Sequence, residues 1–109
     1  MIVNKPSIYI YVNNADAKIL REVTSGIEEE GVFFEIFEKS ENDINELAFN
    51  AAEDSMLGSG VGIYATDVAF TIRGMKKGKN VEKYSSPEPK MSRILGTNSA
   101  RCVKKQFFK

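Results

Sequence analysis

Residues 60–72 read GVGIYATDVAFTI, two apolar runs at 60–65 and 68–72 separated by Thr66 and Asp67 alone. A crossover between parallel strands takes a dozen or more residues and usually a helix, so so short a connection makes these two strands antiparallel neighbours. Everything upstream has the opposite character. There, apolar runs alternate with helical patterns long enough to cross a sheet, which gives parallel strands. The chain therefore encodes a mixed sheet whose direction reverses at residues 66–67.

Working back from that reversal, residues 7–12 (SIYIYV) form a β-branched and aromatic strand, followed by Asn13-Asn14 and the helix-capping residue Asp16. Ile19, Leu20, Val23 and Ile27 recur at helical spacing over 17–30, and Gly31 supplies the left-handed residue that ends the helix. The second strand, residues 32–37 (VFFEIF), is nearly continuously apolar. That pattern predicts burial on both faces, as in a parallel strand covered by helices. Asp43 caps a second helix with Ile44, Leu47, Ala48, Ala51 and Ala52 inward, ending near 56–58. Beyond the hairpin, a basic loop KKGKN leads to a short fifth strand at 81–84, and SSPEP precedes the last helix. Right-handed crossovers place the first strand between the second and third. The expected fold is α/β: a three-layer α/β/α domain over 1–109 with a five-stranded sheet, order 2-1-3-4-5, strand 4 antiparallel. The first five or so residues and the extreme C-terminus are expected to fray.

Composition narrows the chemistry. The 109 residues are 42% hydrophobic and 28% charged, enough for one core and too few for two. With no histidine and one cysteine, Cys102, the usual zinc sites and Ser-His or Cys-His nucleophilic systems are excluded. Gly58, Gly60 and Gly62 lead into a strand rather than opening a helix, so they form no phosphate loop and signal close backbone approach instead. A lone cysteine, no membrane-length apolar run and no signal-peptide pattern point to the cytoplasm. The net charge of zero conceals a division. Residues 1–55 carry twelve carboxylates and four bases, whereas 56–109 carry three and eleven. Such a dipolar chain either steers a charged partner or pairs with itself across the fold. Nucleic acid is the weaker partner, because the lysines lack interleaved aromatics.

Two local features resist a purely local explanation. Gly96 sits inside the apolar stripe of the last helix, where glycine costs about 1 kcal/mol relative to alanine. Close packing on a neighbouring element explains it, as would an interface needing backbone approach. The triplet Glu28-Glu29-Glu30 closes the first helix at the negative end of its dipole. A solvated face would account for it. So would a carboxylate that meets a divalent cation or a basic residue of another chain.

Three segments, GIEEEGV at 26–32, GVGIYATDVAFTI at 60–72 and RILGTNSARCVKKQFF at 93–108, together resemble the small subunit of the diol and glycerol dehydratase reactivating factors. The resemblance runs from Ile19 onward. It implies a fold related to the medium subunit of cobalamin-dependent dehydratases and a subunit without catalysis of its own. It also implies two partners: a large ATPase subunit that carries ATP or ADP, and the dehydratase, with whose medium subunit it exchanges so that damaged cobalamin is released. Aligning the glycine after the triplet makes Glu29 the ligand of an interface divalent cation, Mg2+ or Ca2+, with Glu28, Glu30, Asn98 and Arg101 at the partner interface. Ser99, Cys102 and the lack of a proline before the closing phenylalanine depart from the family's pattern. The resemblance leaves room for a cytoplasmic microcompartment and for a homodimer of the isolated chain. Two other readings stay open: a medium or accessory subunit that contacts cobalamin, and a stand-alone module binding a small molecule.

Overall fold

The structure, a computed structural model, describes residues 5–107, with side chains as far as Lys104. The ends expected to fray lie largely outside those residues. The order is β1 (Ser7–Asn13), α1 (Ala17–Glu29), β2 (Phe33–Glu38), α2 (Ile44–Asp54), β3 (Ser59–Tyr64), β4 (Asp67–Ile72), β5 (Glu82–Ser85) and α3 (Pro89–Phe107). The five strands form one sheet in the order β2-β1-β3-β4-β5. β1 pairs in parallel with β2 and β3, and β4 is antiparallel to both β3 and β5. The reversal occurs at the turn between Tyr64 and Asp67, where Ala65 adopts a φ of 53° and its carbonyl accepts from the Asp16 amide at 2.9 Å. The start of α1 is thereby tied to the hairpin. Asp16 Oδ1 also accepts from the Lys18 and Ile19 amides, the capping role its position suggests.

Strand alternation divides the core into two layers. Ile8, Ile10 and Val12 of β1, Val61 and Ile63 of β3, and Val68 and Phe70 of β4 meet Ile19, Val23 and Ile27 of α1 and Leu95, Ala100 and Val103 of α3. Each of these side chains larger than alanine contributes about 1.5–3 kcal/mol when fully buried. The opposite face carries Tyr9 and Tyr11 of β1 and the glycines of β3, and α2 covers it. A Cβ on Gly60 would lie 2.1 Å from the Ala52 amide nitrogen, and one on Gly62 would lie 2.6 Å from that of Ala48. The glycines and the alanines of α2 are one feature. Both sides are small so that a helix backbone can rest on a strand backbone.

Two expectations need correction. α2 stops at Asp54 rather than at 56–58, because Ser55 turns extended; its hydroxyl donates to the Ser7 carbonyl at 2.6 Å and accepts from the Leu57 amide. β2 is not buried on both faces. It is the sheet edge, and Phe33 and Ile36 remain 54% and 42% exposed. An apolar run records what side chains prefer, but sheet order decides what covers them, and α2 lies over β1, β3 and β4.

Candidate partner interface

α1 and α3 lie side by side and run in the same direction, so residues 22–30 of one face residues 93–104 of the other. Their approach is closest at a pair of glycines. A Cβ on Gly96 would fall 2.1 Å from the Val23 carbonyl oxygen, and one on Gly26 would fall 2.3 Å from that of Arg93. This settles Gly96 as a packing residue between two helices.

The close crossing brings the acidic triplet against the bases of α3. Arg93 bridges Glu22 and Glu29 at 2.9 and 3.0 Å, and Glu30 receives Arg101 at 3.3 Å and Lys104 at 3.1 Å. Every ion pair among the described residues joins a carboxylate of the first half to a base of the second. The opposed charges of the two halves are thus partly spent within the fold. The bases also compensate the adjoining negative ends of two parallel helices.

The three glutamates are not equivalent. Glu30 is the most enclosed, its side chain 16% exposed and each oxygen bonded to a base. The Lys104 ammonium, and then the Arg101 guanidinium, hold its carboxyl below the usual 4.5. A carboxyl depressed in the folded state contributes stability that is present above its unfolded pKa and lost as pH falls through the folded value. We therefore expect Glu30→Gln to flatten the loss of stability below about pH 4.5 relative to the parent, measured as urea midpoints across the acid range. Glu29 is 55% exposed and bonds Arg93 through one oxygen, and Glu28 is exposed and enters no ion pair among the described residues. Arg101 joins the cluster. Asn98 does not, since its amide donates to Glu82 of β5 at 2.6 Å and ties α3 to the sheet. Among the described residues no three Asp, Glu or Cys side chains converge to hold a metal by themselves. Beside the triplet lies an apolar hollow of about 390 Å³, walled by Pro6, Gly31, Val32, Phe33, Leu57 and Val103.

Along its whole described length the chain matches the model of the dehydratase medium-subunit family, over residues 5–109. The chain belongs to that family. Two solved structures share this chain's fold. One, a diol dehydratase-reactivating factor complexed with ADP and Mg2+, matches with a TM-score of 0.86 and 26% identity over 94% of this chain and 95% of its own. The other, a glycerol dehydratase reactivase, matches in fold with a TM-score of 0.87 at 24% identity, over 93% and 94%. Curated protein sequences offer no match. As in those relatives, the α/β sheet is mixed with order 2-1-3-4-5. No helix among the described residues is long and apolar enough to cross a membrane.

One cluster escaped the sequence reading. Tyr9, Tyr11 and Phe37 stack on the α2 face, with ring centroids 4.8–6.2 Å apart, and the Lys39 ammonium sits 4.5 Å from the Tyr11 ring centroid. The Tyr11 hydroxyl donates to the Asp54 carboxylate; burial first, and then that carboxylate, push the phenol far above its ordinary pKa. The two-residue alternation of tyrosine and isoleucine in SIYIYV was the available signal.

Proposed function

We propose that this chain is the small subunit of a reactivating factor for a cobalamin-dependent diol or glycerol dehydratase. It acts by leaving a large ATPase subunit when that subunit docks on an inactivated dehydratase, in exchange for the dehydratase's medium subunit. Damaged cobalamin is then released. The observation that carries this reading is the match along 95% of the chain of a diol dehydratase-reactivating factor, within a family defined by the dehydratase medium subunit. A subunit that resembles the one it displaces can compete for the same surface. In this reading the chain is not itself catalytic, nucleotide is bound and hydrolysed by the large subunit, and exchange occurs in the cytoplasm.

Glu29 is the residue we assign to an interface Mg2+ or Ca2+. Its half-exposed carboxylate holds one base through one oxygen, and hard cations accept such oxygens from two chains at once. Glu30, committed to two bases, fits that role poorly. Glu28 and Arg101 would line the same contact, whereas Asn98 would support it from behind through β5.

The test is capture of the tagged chain from its native cells, followed by identification of what accompanies it. A large ATPase subunit, released on adding inactivated dehydratase, is the expected result. The family's description favours one other reading, a medium or accessory subunit of the dehydratase itself. Stoichiometric cobalamin in the captured complex, independent of ATP, would replace the first reading with that one.

A further inference from the structure

The edge strand β2 carries an association surface of its own, and its geometry selects both the occupant and the register. The Lys39 amide donates to the Val12 carbonyl at 2.8 Å, so odd-numbered residues of β2 bond to β1. The backbone groups of Phe34, Ile36 and Glu38 therefore point away from the sheet. Apart from the charges of Glu35 and Glu38, this edge lacks the usual protections. It contains no proline, its six pairs with β1 run without a bulge, and it exposes Phe33 and Ile36.

From these features we infer that β2 pairs antiparallel with β2 of a second copy of this chain, about a two-fold axis at Ile36. A two-fold perpendicular to the sheet requires even-numbered positions to face even-numbered ones. An axis at Ile36 sets Ile36 against itself and Phe34 against Glu38 of the second copy, matching all outward backbone groups. An axis at Glu35 or Glu38 would instead oppose a carboxylate to itself, which is destabilising. One at Phe34 or Phe37 would overlap less of the strand and leave outward backbone groups of β2 unmatched within it.

Charge makes the edge complementary to itself. On the face shared with Tyr9 and Tyr11, Glu35 becomes the diagonal neighbour of Lys39 from the second copy, twice by symmetry, against one diagonal contact of Glu35 with its own copy. Within one chain, Glu35 enters no ion pair among the described residues, and the Lys39 ammonium rests on the Tyr11 and Phe37 rings. The dimer supplies each with its counterion and joins two sheets into one of ten strands. None of this depends on the reactivase reading.

The test uses the purified full chain by sedimentation, with positions outside the fully buried core chosen so that each variant folds. The parent is expected to dimerise. Glu35→Lys and Lys39→Glu should each weaken the dimer by roughly tenfold, and together restore it. In a Cys102→Ala background, Ile36→Cys should form a disulfide-linked dimer under mild oxidation, because directly opposed hydrogen-bonded residues lie about 5.5 Å apart at Cα, within disulfide reach. Glu35→Cys should not. A parent that stays monomeric, reversals that do not rescue each other, or cross-linking at 35 in place of 36 would each overturn the proposal. Protection of the edge only on adding another protein would assign it to a foreign strand.

Discussion

Gly96→Ala is expected to destabilise the fold by about 1–3 kcal/mol, out of a total of about 5–15 kcal/mol for a domain of this size. On propensity alone the substitution should stabilise α3, by about 1 kcal/mol. Packing overrides that gain. The new methyl would meet three backbone atoms of Val23, its oxygen at 2.1 Å, its carbonyl carbon at 2.9 Å and its Cα at 3.0 Å. Backbone cannot swing aside as a flexible side chain can, so α1 and α3 must separate. Gly26, whose own Cβ would strike the Arg93 carbonyl, closes the other side of the contact. Separation would also draw Arg93 and Arg101 away from Glu29 and Glu30, so stability and the arrangement of the triplet should change together. Urea titration measures the first effect. A variant as stable as the parent would mean that the two helices do not need this contact.

The second large effect is expected at Glu29. Glu29→Gln should weaken association with the large subunit by at least about tenfold in Mg2+, in line with the loss of a metal-site interaction, and much less in the presence of a chelator. Fold stability should change little, because the Glu29–Arg93 pair is half-exposed and such pairs contribute about 0–1 kcal/mol, and Arg93 keeps Glu22. Glu28→Gln is the control for the neighbouring position. Affinity lost at 28 and kept at 29 would move the cation by one residue; affinity kept at both would remove the metal bridge while leaving subunit exchange intact. Calorimetric titration of the purified subunits separates these outcomes.

The elements themselves were legible because each rests on a short-range cause. The hairpin follows from a connection too short to cross a sheet, α1 from four apolar residues at helical spacing between Asp16 and Gly31, and α3 from a stripe that begins after Pro87 and Pro89. The end of α2 was less legible. Ser55 leaves the helix to bond Ser7, 48 residues away, and no local pattern announces that partner. The candidate interface was legible in its residues but not in its pairing. The triplet looked misplaced at a helix C-terminus, and a basic residue of another chain was one explanation offered; the bases that meet Glu29 and Glu30 belong to the same chain, more than sixty residues later.

The sequence by itself determined the mixed sheet, the family signature and the division of charge, since strand direction, spacing and composition are properties of neighbouring residues. Tertiary structure alone decided which apolar strand lies at the edge, which backbone each glycine admits, and which glutamate keeps an oxygen free. Those depend on what lies opposite a residue once the chain has folded. β2 and β3 are both apolar runs, yet α2 rests on the glycines of one and leaves Phe33 and Ile36 of the other uncovered.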